Sequence, residues 1–395
     1  MKTNPLFHNS KWQLGQAGVS LIELMVAMTI GLVLTTMLAV IFQNVSKANR
    51  AQFQAVEQQE NGRYAMETLI TDLRTAGYYG EFSTLPPAGG SLVDPCAIPA
   101  EGNIDADTAN SAMAFYVQSY PAASVTASAS IPAGCSAWID SATLRPGSDI
   151  LVVRRLATIP LIDSDAATPV LEATATEGDV YVQTSFDQMS IQYGTGADID
   201  GTLNAAGAAT TLTRKDFSQA TTGTPPIRPT TGAYIRRLLV HVYFVAKCRQ
   251  GSGSNGKCTS GDDTIPTLTR LELSPDSSDD PGIRLVPLVE GIEFMKVNFG
   301  LDTSSSVSGV TLDGIVDSVV ATPLTTADWQ NVVMAEVRLV ARNTASSSSY
   351  TDDKDYDLGN SITYSPSGDA ARFRRHAFVS RAYIENIAGR REFTH

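Results

Sequence analysis

The chain has 395 residues, 43% of them hydrophobic and 18% charged, a composition that folds and does not stay disordered. Its length exceeds one average domain, so a long element plus one or two globular units is expected. A formal net charge of −12 argues against broad attraction to nucleic acid or anionic lipid, which needs a basic footprint.

Residues Met1 to Gly18 are polar, carry Lys2 and Lys11, and contain no acid. The run VSLIELMVAMTIGLVLTTMLAVIF follows, Val19 to Phe42, with Glu23 as its only charge. As a helix it would span roughly 36 Å at about 1.5 Å per residue, enough for a hydrocarbon core of roughly 30 Å. A secretory signal has a shorter apolar core that ends at its cleavage site. Here the small residue Gly18 precedes the apolar run, so a cut there would keep the membrane segment attached.

Glu23 sharpens this reading. A carboxylate within a spanning segment costs a few kcal/mol and calls for a partner. Cleavage after Gly18 would give Val19 a free amine, positive at neutral pH, four residues before Glu23 and beside the partial positive charge of the helix end. Glu23 would then pair with its own terminus or with that of a neighbouring chain. An interfacial, hydrated Glu23 is the plainer alternative.

Gly18-Val19-Ser20-Leu21-Ile22-Glu23, after a short basic leader and before the apolar run, resembles the class III signal of type IV prepilins and type II pseudopilins. The resemblance implies a membrane-embedded prepilin peptidase that cuts after Gly18 and methylates Val19, and a role for Glu23 in subunit register. Val19 departs from the phenylalanine or methionine commoner in the family at that position.

Past Phe42 the helix is expected to continue. Val45, Ala48, Gln52, Ala55, Gln59, Gly62, Met66, Leu69, Leu73 and Ala76 recur at steps of three and four, with Glu57, Arg63, Glu67 and Arg74 elsewhere. No proline interrupts Val19 to Ala76, and Gly77 stands where a C-cap glycine belongs. The rod would be roughly 87 Å long. Lys47 and Arg50 flank its distal end about as positively as the leader flanks the near end, so charge alone leaves the orientation open.

Cys248 and Cys258 bracket a Gly/Ser-rich connector between two strand-like runs, Tyr234–Ala246 and Thr267–Leu273, as a hairpin stapled at its neck. Cys96 and Cys135 form the natural second pair. Zinc is the competing reading, but no C-x2-C spacing or neighbouring histidine supports it. Two disulfides would place this domain in an oxidising compartment.

Further strands are expected at Asp149–Leu156, Val180–Gln183, Met189–Tyr193, Ile292–Phe299, Val332–Arg342 and Phe373–Ile387. The alternation in Glu336–Arg342 predicts one wet face. Ala122–Ala133 and Gly201–Gly232 read as surface loops.

Glu60-Asn61-Gly62-Arg63-Tyr64-Ala65-Met66 and Asp72-Leu73-Arg74-Thr75-Ala76-Gly77-Tyr78 are similar to the helix end of PilW-type minor pilins. GIEFMKVNFG, DWQNVVMAEVRLVARN and the closing arginine-rich strand also resemble that family. The resemblance implies an α+β protein in three parts: a leader at 1–18, a helix at 19–77 that crosses the membrane at 19–42, and a β-rich periplasmic or extracellular domain at 78–395. It implies a structural subunit that is anchored in the inner membrane and then carried into the pilus, there to prime assembly and join a tip complex. The partners implied are other minor pilins, the major pilin, the peptidase, the inner-membrane assembly platform and a PilY-type adhesin. A GspJ-like minor pseudopilin and a membrane-anchored surface-binding protein are the alternatives.

No catalytic constellation stands out. His241 and His376 lie in strand-like runs with no G-x-S-x-G elbow, and no phosphate loop follows a strand. No cofactor, metal or nucleic acid is expected. The acid-rich turns Asp198–Gly201, Asp276–Asp280 and Asp302–Asp317 lack the full spacing of a calcium loop. Arg372, Arg374, Arg375, Arg381, Arg390 and Arg391 are expected to pair with the domain's own carboxylates or with a partner.

Overall fold

The computed structural model describes residues 18–82, 85, 89–97, 112–160, 162–163, 170–171, 178–184, 189–193, 234–275, 281–303, 313–323, 325–348 and 350–392. The leader before Gly18, the stretch Gly201–Gly232, the turns Asp198–Gly201 and Asp276–Asp280, and His8 and His395 lie outside these residues. The chain divides into two units, Met1–Gln54 and Ala55–His395.

The described part of the first unit is helical from Leu21 onward. It holds the start of α1 (Leu21–Thr75), whose side chains from Leu21 to Phe42 are all exposed. The unbroken helix follows from the absence of proline and the run of good helix formers. Gly77, just past its end, takes a φ of +69°, a left-handed conformation that glycine adopts without a Cβ penalty.

The second unit begins with the last turns of α1, which bury one face. Gln58, Gly62, Ala65, Met66, Leu69, Ile70, Asp72 and Leu73 are buried. The apolar stripe therefore enters the core at Gly62. One turn earlier Gln58 is the buried residue and Gln59 is exposed, because the Gln58 amide donates to Ala341 O (2.6 Å) and Arg374 O (2.9 Å). Gly62 allows the closest approach in this packing: a Cβ there would overlap the ring of Phe378.

Two antiparallel sheets receive the helix. The larger is built on β7 (Ile235–Ala246), whose residues 238–243 pair with β2 (Ile150–Leu156) on one side and 241–246 with β8 (Thr267–Pro275) on the other. Outward from these lie β1 (Val117–Tyr120) on β2 and β9 (Pro281–Glu290) on β8. The N-terminal half of β7 pairs with β3 (Ile162–Asp163) and β5 (Val180–Thr184), which carry β4 (Val170–Leu171) and β6 (Met189–Tyr193). The smaller sheet runs β11 (Ser318–Val320), β10 (Ile292–Leu301), β12 (Val332–Arg342) and β15 (Arg375–Tyr383). A two-stranded ribbon, β13 (Tyr356–Asp357) with β14 (Thr363–Tyr364), stands apart. Among the described residues the unit also holds the short helices α2 (Thr326–Trp329) and α3 (Glu385–Glu392).

One apolar core joins the helix to both sheets. Leu69 and Leu73 share it with Val153, Tyr243 and Val245 of the larger sheet and with Val297, Val337 and Leu339 of the smaller one. A second cluster around Cys135, Ile139, Val242 and Phe244 fills the opposite face of the larger sheet. Ala122 and Ala129 belong to that cluster, so the Ala122–Ala133 loop is packed down at two points.

Three expectations are corrected. The predicted strand Phe373–Ile387 is a strand only to Tyr383; Ile384 N bonds Val333 O, and Ile387 N and Ala388 N then return to Ile384 O to open α3. The alternating Glu336–Arg342 has no wet face, because every residue but the half-buried Arg338 is buried. Tyr356 and Leu358 cover Val340 and Phe294, while Glu336 and Arg342 lie in ion pairs. The third is β9, absent from the predicted strands; its Pro281 and Pro287 fit an edge strand, where a missing N–H costs no inner ladder bond.

Candidate functional site

The exposed N-terminal helix is the first candidate. Ser20 precedes its first turn and makes a reciprocal pair with Glu23: Ser20 N donates to Glu23 Oε2 (3.0 Å), and Glu23 N donates to Ser20 Oγ (3.2 Å). This capping box satisfies two helix-end donors and draws the Glu23 carboxylate back over the N-terminus. The acid in the apolar run is thus held at the positive end of the helix, one turn from Val19.

The other polar groups of the span are satisfied internally. Thr29 donates to Val26 O (2.9 Å), Thr35 to Gly31 O (2.9 Å) and Thr36 to Leu32 O (2.7 Å). The remaining surface is hydrocarbon, with Leu21 81% exposed and Phe42 74% exposed. Such a surface needs lipid or other helices around it.

The second candidate is a polar cleft where α1 meets the larger sheet. Asp72 comes from the buried face of the helix. Its Oδ1 accepts from Arg155 Nε (2.8 Å), and its Oδ2 accepts from His241 Nδ1 (2.7 Å) and the Tyr243 hydroxyl (3.0 Å). Burial pushes the Asp72 carboxyl up, but the His241 hydrogen bond and the His241 and Arg155 charges outweigh it and hold it at about 2. Burial and the Asp72 charge together push the Tyr243 phenol up. Thr68, on the cleft wall, donates its hydroxyl to Tyr64 O (2.9 Å). Every oxygen of Asp72 is spent on holding three sheet residues, so the arrangement is a helix-to-sheet clamp.

Elsewhere the charges neutralise one another inside the domain. Glu293, 1% exposed, receives Arg375 Nε (2.6 Å) and Arg145 (2.7 Å), and Arg375 also reaches Asp352 (3.1 Å). Lys296 and Asp149 form a buried pair at 2.6 Å, in which burial pushes the Asp149 carboxyl up against the pull of the lysine. Arg381 pairs with Glu336 (2.7 Å) and Arg391 with Asp302 (3.0 Å). Most of the arginine cluster is therefore engaged with the domain's own carboxylates.

Both predicted cysteine pairs are disulfides, Cys96–Cys135 and Cys248–Cys258. Asp94 lies beside the first with metal-ligand proximity. Its oxygens accept from Cys96 N (2.9 Å) and Gly134 N (2.6 Å), and both sulfurs are bonded to each other, so the group staples a turn. Asp302 and Asp317, at the ends of the third acid-rich stretch, accept from Gly314 N (2.9 Å) and Thr303 N (2.8 Å). His241 sits in the clamp, whereas His376 is exposed on β15 with its ring edge-on to Phe378.

Sequence reading missed Ser20 and Asp72. The S-x-x-E spacing at Ser20 was signal enough for the first. Nothing in the helical pattern marks Asp72, which falls next to Leu73 on the buried side.

A family model described as Type IV Pilus-assembly protein W matches residues 242–386. The prokaryotic N-terminal methylation motif matches residues 14–39. No curated protein and no solved structure gives a significant match.

Proposed function

We propose that this chain, a type IV pilin of the PilW family, acts as a minor subunit that primes pilus assembly and joins the complex at the pilus tip. The observation that carries the reading is the capped, fully exposed apolar helix that follows Gly18 and ends, beyond Gln58, in the core of a β-rich domain. An element of that kind anchors a subunit in lipid first and in a bundle of like helices afterwards.

The mechanism has three steps. The prepilin peptidase cuts after Gly18, and Val19 becomes the methylated terminus. As the subunit leaves the membrane, the Val19 amine of a neighbouring chain meets the Glu23 carboxylate. The apolar helices then bundle, and removal of their hydrocarbon surface from water supplies most of the cohesion. A domain built from residues 55–395 is bulky for a repeated shaft subunit and suits a cap over other minor pilins. The two disulfides fit folding on the oxidising side of the inner membrane, where the domain would reside before assembly.

Glu23→Ala tests the register step. It is expected to leave cleavage after Gly18 intact and to abolish recovery of the protein in sheared filaments. Recovery at wild-type level would remove Glu23 from the mechanism. Unchanged pili with impaired protein secretion in a deletion strain would favour the pseudopilin reading.

A further inference from the structure

Edge strands with unpaired backbone groups invite pairing with another chain, and soluble proteins blunt them with prolines, bulges or short length. Among the described strands most edges here are blunted in these ways, and β15 is the longest edge that is not. β9 carries Pro281 and Pro287 and a register shift, β11 has three residues, and β1 has four. β15 differs. Its nine residues, RHAFVSRAY, contain no proline, and all nine pair with β12 in unbroken register. Among the described residues no strand pairs with its other side.

The side chains on this edge are also open. Val379 is 53% and Tyr383 54% exposed, on the face of the sheet away from Phe378. Arg381 is 64% exposed although it touches Glu336. His376 is exposed, and Arg374, which leads into the strand, stacks on Tyr350. No acid occurs between Asp369 and Glu385, on a chain whose net charge is −12. The strand is thus a basic, partly apolar edge on an acidic protein.

We infer that the free edge of β15 takes up an extended strand from another subunit of the pilus complex, with carboxylates opposite Arg381 and His376 and apolar residues opposite Val379 and Tyr383. Backbone hydrogen bonds supply the pairing, and the alternating side chains supply the choice of partner. The charge pattern disfavours a second copy of this chain, because a second β15 strand, RHAFVSRAY, brings no carboxylate to Arg381. The inference extends the minor-pilin reading to a second contact, independent of the N-terminal helix.

The test is photo-crosslinking in piliated cells, with the full-length chain carrying a benzophenone side chain at Val379. Ile159, 73% exposed elsewhere on the domain, is the control position. The expected adduct from position 379, absent from 159, maps to an acid-bearing extended segment of a different pilus subunit. Arg381→Gln should lower its yield about threefold, the effect of one exposed ion pair. Hydrogen exchange adds a measurement that needs no variant. Amides within 376–382 should exchange at least about tenfold more slowly in the isolated complex than in the solitary full-length protein in detergent. Crosslinks confined to the same chain or to a second copy, or unchanged exchange on complex formation, would overturn the inference. Presence in filaments with no β15 adduct would refute the edge contact and leave the minor-pilin reading standing. An adduct to a non-pilus protein, with absence from filaments, would refute both.

Discussion

Asp72, on helix α1, accepts a hydrogen bond from His241 Nδ1 at 2.7 Å, tying the helix to the central strand of the larger sheet. The same carboxylate holds Arg155 and Tyr243, so one side chain joins α1 to β2 and to two positions on β7. Replacement of Asp72 by Ala would leave three polar groups without their partner. We expect Asp72→Ala to cost about 3 kcal/mol, the range for breaking a buried pair. Urea unfolding of the full-length protein in detergent measures it.

The clamp also sets an acid dependence. The Asp72 carboxyl is held at about 2 in the fold, below its ordinary value of 3.8. A carboxyl with a depressed folded pKa contributes stability that is fully present above its unfolded value and is lost as pH falls through the folded one. The loss should therefore fall between about pH 4 and pH 2, on the order of 2 kcal/mol. Asp72→Asn should flatten that part of the stability profile. An unchanged profile would show that Asp72 is not the group responsible.

Gly62 and Phe378 supply a second stability test. Gly62→Ala gains roughly 1 kcal/mol of helix propensity but forces a methyl into the Phe378 ring, an overpacking cost of roughly 1–3 kcal/mol. The single change should be destabilising. In a Phe378→Ala background, where the ring is gone, the same change should be neutral or stabilising. Additive effects in the two backgrounds would rule out the contact as the cause.

The disulfides close loops of different length, 39 residues for Cys96–Cys135 and 10 for Cys248–Cys258. On the chain-entropy account their removal costs about 4 and about 3 kcal/mol respectively. Paired Cys→Ser variants should keep that order in thermal unfolding.

Ser20 separates two roles of Glu23. Both residues form the capping box, so loss of either removes about 1 kcal/mol from the helix start. In the proposed register step only Glu23 meets a neighbour's amine. Ser20→Ala should therefore leave filament incorporation nearly intact while Glu23→Ala abolishes it. Equal defects would reduce Glu23 to a helix cap.

Much of this was legible in the sequence, for reasons particular residues make plain. The helix showed itself through an apolar run, an uninterrupted 3.6 periodicity and Gly77 at its end. Cys248 and Cys258 showed their pairing because only a short hairpin separates them. β12 was bounded correctly from its β-branched run, yet its wet face was misread. Alternation marks a half-exposed strand only when nothing covers the polar side, and the cover at Val340 comes from Tyr356 and Leu358, in a separate ribbon. The end of β15 was overrun for a related reason: Ile384 and Ile387 fit either a strand or a helix until the bonds from Ile387 N and Ala388 N to Ile384 O turn the chain. Asp72 was invisible because its value lies in three partners from β2 and β7.

The most direct test of the central claim is peptide mass spectrometry of sheared surface filaments, searched for an N-terminal peptide that begins at methylated Val19. The account predicts that peptide, at low stoichiometry to a major pilin. Detection only of uncut chain, with Met1 to Gly18 attached in cells that process other prepilins, would contradict it.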